Sequence, residues 1–151
     1  MSAFDPLKIY RDLDIVCPQF AKRIEKAVEN ARAAGYPIAI FETWRSPERQ
    51  DWLYAQGRTR EGKVVTKAQA WDSWHQYSLA ADVAFKTEPG KWTWEFEPKA
   101  IKDFFLDQGL EWLFPFEACH FQMTGGLSIA DARAITQRSG VQTLWQKIAA
   151  K

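Results

Sequence analysis

Histidine, cysteine and methionine are scarce in this chain of 151 residues, with two of each. Two cysteines, Cys17 and Cys119, allow at most one disulfide. Free thiols are expected, because the first ten residues, with Asp5 and Lys8 among them, lack the apolar core of an export signal. No uninterrupted apolar run approaches the roughly 20 residues that span a bilayer, so the chain is not expected to embed in a membrane. An excess of either charge is also missing: 20 Lys and Arg stand against 19 Asp and Glu. That balance removes the usual electrostatic drive toward nucleic acid or an anionic membrane. Repeats, low-complexity tracts and linkers are absent too. We therefore expect one soluble domain over residues 1–151, made in the cytoplasm and monomeric. What is abundant is tryptophan, with eight residues. Most belong to a core on general grounds, but one or two are candidates for the wall of a groove.

Apolar spacing organises the chain. Phe20, Ile24, Ala27, Val28 and Ala31 recur at helical intervals, which predicts a helix from Pro18 to Ala34 stopped by Gly35. Pro37–Thr43 reads as a short buried strand. Ser46-Pro47 supplies an N-cap and first position for a helix to about Gln56, ended by Gly57. Residues 58–72 lack periodicity and read as a long loop, a type of segment often given to function. Leu79–Phe85 and Ala118–Met123 are strand candidates, with a hairpin or excursion around Pro89-Gly90. Pro98–Gln108 reads as a helix, and Ser128–Arg138 and Val141–Ala150 as two more. Helices packed on a small, mostly antiparallel sheet make an α+β domain.

Each of the two histidines sits near a carboxylate in a patterned segment. In 79–85, Leu79, Ala81, Val83 and Phe85 point to one side, leaving Asp82 on the other between the small residues Ala80 and Ala84. A carboxylate in so apolar a strand needs a partner, because burying it unpaired costs several kcal/mol. His75 lies seven residues before it. In 118–123, Cys119, Phe121 and Met123 share the core face, and His120 shares the other with Ala118 and Gln122. That parity argues against Cys119 as a metal ligand. Two imidazoles and one carboxylate are the ligand set of a catalytic zinc with an open fourth position for water. Glu117, just before the second strand, is placed to act as general base. Spacing alone leaves a second arrangement open, in which His120 is bonded within a core and Glu117 lies on the surface.

Those segments resemble the M15 family of zinc peptidases, the D-Ala-D-Ala carboxypeptidase, dipeptidase and endolysin group. The family pattern Ser-x-His-x-x-Gly-x-Ala-x-Asp is met by Ser73, His75, Ala80 and Asp82, with Ser78 in the glycine position. An acid three residues before a histidine-aromatic pair is met by Glu117, His120 and Phe121. An upstream arginine motif is met by Thr43-Trp44-Arg45-Ser46, with Gln50 on the following helix. Leu53–Thr59 and Val65-Thr66 are most similar to the L-alanyl-D-glutamate endopeptidase branch, which includes phage endolysins.

The resemblance implies zinc held by His75, Asp82 and His120 on the open face of the sheet, with Glu117 as base. It implies that Arg45 holds a carboxylate of the peptidoglycan stem peptide or a developing oxyanion. Ser73, Gln50 and Trp74 are the expected substrate contacts, with Trp112 a further groove wall and Asp72 a weaker rival for a ligand role. Hydrolysis of the L-Ala–D-Glu bond is the expected activity. D-Ala-D-Ala carboxypeptidase or dipeptidase activity and a non-catalytic zinc-stabilised binding module are the alternatives. The resemblance further implies a wall target reached through a holin-type pore, with no separate wall-binding domain. Three features depart from the family: Ser78, Cys119 in place of a proline, and a short 112–117 segment. If residue 78 needs positive φ, serine there costs about 1 kcal/mol.

Overall fold

A computed structural model describes residues 5–112 and 119–150. Helix α1 (Pro18–Ala33) forms where the apolar spacing predicts it, and buries Phe20, Ile24, Ala27 and Ala31 completely. Each large side chain so buried contributes about 1.5–3 kcal/mol. Strand β1 (Ile38–Glu42) follows, then helix α2 (Pro47–Ala55). Ser46 caps α2 by accepting the Arg49 N–H at 3.0 Å. Gly57 closes that helix at φ +81°, and a Cβ there would meet the Val64 nitrogen at 2.7 Å. Both facts require glycine.

The sheet is antiparallel throughout its described pairs, in the order β1-β2-β5-β4, with β3 also on β2. Strand β2 (Ala80–Glu88) is central, and it turns into β3 (Lys91–Thr93) through the expected hairpin. Strand β4 (Glu111–Trp112) was not expected, and β5 (His120–Gln122) is shorter than the strand the sequence suggests. The helix expected over 98–108 is broken. A 3-10 turn at Pro98–Ala100 precedes a short α3 (Lys102–Leu106). Ile101 and Phe105 are both in the core, where Phe105 stacks on Phe121 at 3.9 Å between centroids. Helices α4 (Ile129–Ser139) and α5 (Val141–Ala149) end the fold, with Ala132, Ile135, Leu144 and Ile148 in the same core. No described helix is long and apolar enough to cross a membrane.

β2 keeps the alternation read from its sequence. Leu79, Ala81 and Val83 join the core under the sheet, and Asp82 faces the other way. The register then sets a row across three strands: Glu42 on β1 opposite Asp82, and Asp82 opposite His120 on β5. A bulge between Ile40 and Glu42 turns both Phe41 and Glu42 to the open face, where they line a cleft.

Candidate metal centre

The third member of the constellation comes from outside the sheet. Residues Trp74–Tyr77 form a 3-10 turn that the sequence reading left unassigned. Ser73 caps it, accepting the His75 N–H at 3.3 Å, while Gln76 Oε1 accepts the Ser73 N–H at 3.2 Å. The turn ends at Ser78, which adopts φ +59°, so the glycine position of the resemblance does require positive φ. Arg45 N–H donates to the His75 carbonyl at 3.3 Å, and His75 Nδ1 lies 2.6 Å from the Thr43 carbonyl. These two bonds clasp the turn to the end of β1.

His75, Asp82 and His120 converge. One ligand atom from each lies within 4.8 Å of the others. His75 Nε2 and His120 Nδ1 are each 3.2 Å from Asp82 Oδ1. The outer nitrogen of each ring meets an oxygen acceptor: Thr43 O for His75, and Gln122 Oε1 at 2.8 Å for His120. With the outer nitrogens carrying the protons, neutral rings would offer their inner lone pairs to a metal, the arrangement that outer hydrogen bonds set around metal-ligating histidines. Burial pushes the Asp82 carboxyl up, but His75, His120 and Arg45 outweigh it and hold it well below the usual carboxylate range. An ionised oxygen thus faces two ring nitrogens, and the cluster needs positive charge at its centre, either as protons on the rings or as a metal ion. Two imidazoles and a carboxylate fit zinc.

A charged network surrounds this cluster. Arg45 Nη2 donates to Glu42 Oε1 at 2.8 Å and to Asp82 Oδ2 at 3.1 Å, while its Nη1 donates to Gln50 at 3.0 Å. Glu42, 1% exposed, also accepts from Arg49 Nε at 2.7 Å. Burial alone would raise the Glu42 carboxyl; Arg45, Arg49 and, more weakly, His75 lower it below its ordinary value. Arg49 also donates to the Pro6 carbonyl. Two acids and two arginines balance in charge, which makes their shared burial tolerable.

A cleft of about 420 Å³ opens over the row. Asp82, His120, Arg45 and Glu42 line it together with Phe41, Leu53, Val65 and Trp94. Arg45 lines this cleft beside the metal cluster, with its guanidinium held by Glu42, Asp82 and Gln50. Three expected substrate contacts need correction. Gln50 is fully buried, and its amide is used on Arg45, Gln76, Thr66 and Ala68, so it braces Arg45. Trp74 is 7% exposed and packs in the core beside Tyr77. Ser73 uses its hydroxyl on the turn that carries His75. Asp72 pairs with Arg133 at 3.5 Å and stays apart from the cluster. Glu117 lies outside the described residues.

Cys119 follows the parity argument: it belongs to the core cluster, although its residue also touches the cleft. Burial, with the Asp82 charge nearby, pushes its thiol up to about 12. Both cysteines are free. Glu42 and Arg49 were missed. The signal was present, since Glu42 closes an apolar strand, and a buried acid there needs the same kind of partner argued for Asp82.

No family model matches the chain. Over 96 residues it is 35% identical to the peptidoglycan L-alanyl-D-glutamate endopeptidase CwlK of Bacillus subtilis strain 168. That match takes in 64% of this chain and 56% of CwlK, so the chain spans little more than half of its relative's length. Among solved structures, the LD-carboxypeptidase LdcB aligns with a TM-score of 0.55 at 18% identity, covering 85% of this chain and 67% of that one. The L-Ala D-Glu endopeptidase ChiX of Serratia marcescens aligns at 0.50 and 23% identity, covering 73% and 81%. The D,D-pentapeptidase VanY, as an E175A mutant in complex with Zn(II), aligns at 0.53 and 14% identity, covering 83% and 81%. The chain is a homologue of CwlK over the matched segment and has the fold of the M15-type peptidases.

Proposed function

We propose that this protein is a zinc peptidase that hydrolyses the L-Ala–D-Glu bond of peptidoglycan stem peptides. The observation that carries the reading is the convergence of His75 Nε2, Asp82 Oδ1 and His120 Nδ1 beneath a cleft that Arg45 also lines. The similarity to CwlK supports the choice of bond. Zinc held by these three residues supplies Lewis acidity toward a carbonyl and acidifies water.

The chain's own groups supply the rest. The Arg45 guanidinium, shared among Glu42, Asp82 and Gln50 at the cleft wall, attracts the free carboxylate of the D-Glu residue by its charge and so draws the scissile carbonyl over the cluster. Glu117, three residues before His120, takes the proton of the attacking water and returns it to the leaving amine. An endolysin-like role, in which a pore-forming partner gives the protein access to the wall, follows from the same resemblance.

Digestion of purified peptidoglycan by the zinc-loaded protein, with products identified by mass spectrometry, tests the reading. New N-terminal D-Glu is the expected product. Released D-Ala points instead to the carboxypeptidase alternative, and full zinc occupancy with no product points to a binding module.

A further inference from the structure

An aromatic cluster stands on the metal face of the sheet, beside the cleft that holds Asp82 and His120. Lys86 lies four residues beyond Asp82 on the same face of β2, and its cross-strand partner on β3 is Trp92. Continuing that register by two residues brings Trp94 abreast of Ala84, two residues and about 7 Å along β2 from Asp82. Ala84 is small and fully covered, and Phe41 comes in from β1 at the bulge. Phe41 meets Trp92 and Trp94 edge to face at 5.2 and 4.9 Å, which fixes the rings as one rigid platform. Arg11 lies over Phe41 and Trp92 at 5.1 and 4.9 Å, and Lys86 over Trp92 at 5.0 Å. Trp94 is 47% exposed, and with Phe41 it walls the cleft above Asp82 and His120.

We propose that Trp94 and Phe41 form a saccharide subsite that takes the N-acylated amino sugar bearing the stem peptide. The inference rests on the proposed L-Ala–D-Glu cleavage, because that bond lies one residue from the sugar. An amino acid spans at most about 3.5 Å, and the lactyl link to the sugar adds a similar length, which matches the offset of Trp94 from Asp82. The platform's composition selects the same class of ligand. A sugar ring offers C–H groups to an indole, and its hydroxyls and acyl carbonyl accept from the Arg11 and Lys86 donors at the edge. A purely apolar ligand would desolvate those two cations without a partner.

The test compares zinc-loaded wild type, Trp94→Ala and Trp94→Tyr on two substrates, a muramyl-linked stem peptide and the same peptide carrying N-acetyl in place of the sugar. Trp94→Ala should lower kcat/KM for the sugar-linked substrate about tenfold, leave the acetylated peptide within about twofold, and be rescued by Trp94→Tyr. Equal losses on both substrates, or no loss on either, overturn the subsite. A second measurement needs no turnover: saturation-transfer NMR with N-acetylmuramic acid alone should give a signal with wild type that Trp94→Ala abolishes. Sugar binding without L-Ala–D-Glu cleavage would sink the proposed reaction and keep the subsite. Cleavage with no sugar binding and no sugar preference would do the reverse.

Discussion

His75 gives its Nδ1–H to the carbonyl oxygen of Thr43 across 2.6 Å, so the ligand's orientation depends on the backbone at the end of β1. That backbone is held in turn by the N-terminal segment. Thr43 N–H donates to the Tyr10 carbonyl at 2.7 Å, and the Thr43 hydroxyl lies 3.0 Å from the Asp12 carbonyl. Thr43→Val removes the hydroxyl and keeps the shape. We expect zinc affinity to fall by about tenfold, as it does when outer supports of metal ligands are lost. Chelator competition measures the loss, and a changed cobalt absorption spectrum would report the altered ligand field. Unchanged affinity would mean that the main chain alone secures His75.

Glu117→Ala separates metal binding from chemistry. Loss of the general base should lower kcat by about 100-fold or more. Zinc content by elemental analysis should stay at the wild-type level, since the three ligand residues are untouched. Full activity in this variant would remove Glu117 from the mechanism.

Glu42 links the network to acid stability. Its carboxyl titrates below the ordinary value of 4.5 in the folded protein. A depressed carboxylate contributes stability that is present above the unfolded-state pKa and is lost as pH falls through the folded-state value. Urea unfolding of the wild type should therefore show stability declining from about pH 5 downward. Glu42→Gln should cost about 3 kcal/mol at neutral pH, because it leaves Arg49 facing a neutral amide, and it should flatten part of that decline. Parallel pH profiles for the two proteins would rule out this assignment.

Ser78 carries its left-handed backbone without the freedom of glycine. Ser78→Gly should stabilise the fold by about 1 kcal/mol. In a domain of this size that raises Tm by about 2–4 °C, measurable by calorimetry. A lower Tm would show that the serine side chain makes a compensating contact.

Periodicity made α1 and the alternation of β2 legible from sequence, the Ser46-Pro47 cap marked α2, a short apolar run marked β1, and the two last helices were also legible. Asp82 and His120 were legible for the same reason, because strand parity sends them to one face. His75 was reached by motif, yet the 3-10 turn that presents it was invisible, since no periodicity spans four residues. Gln50, Ser73 and Trp74 lay close to the motifs and were read as substrate contacts. Gln50 is held by Thr66, Ala68 and Gln76, 16 to 26 residues away, as well as by Arg45, and the burial of Ser73 and Trp74 depends on which face of a short turn is covered. Only tertiary packing decides such matters.

The row Glu42–Asp82–His120 has a consequence for folding itself. In a strand, a slip of one residue exchanges the two faces. Were β2 to pair one position out, Val83 would enter the cleft, Asp82 would be driven into the apolar core, and Arg45 would lose one of its two carboxylate partners. The residues that assemble the reactive cluster thus also proofread the pairing of the strands that hold them.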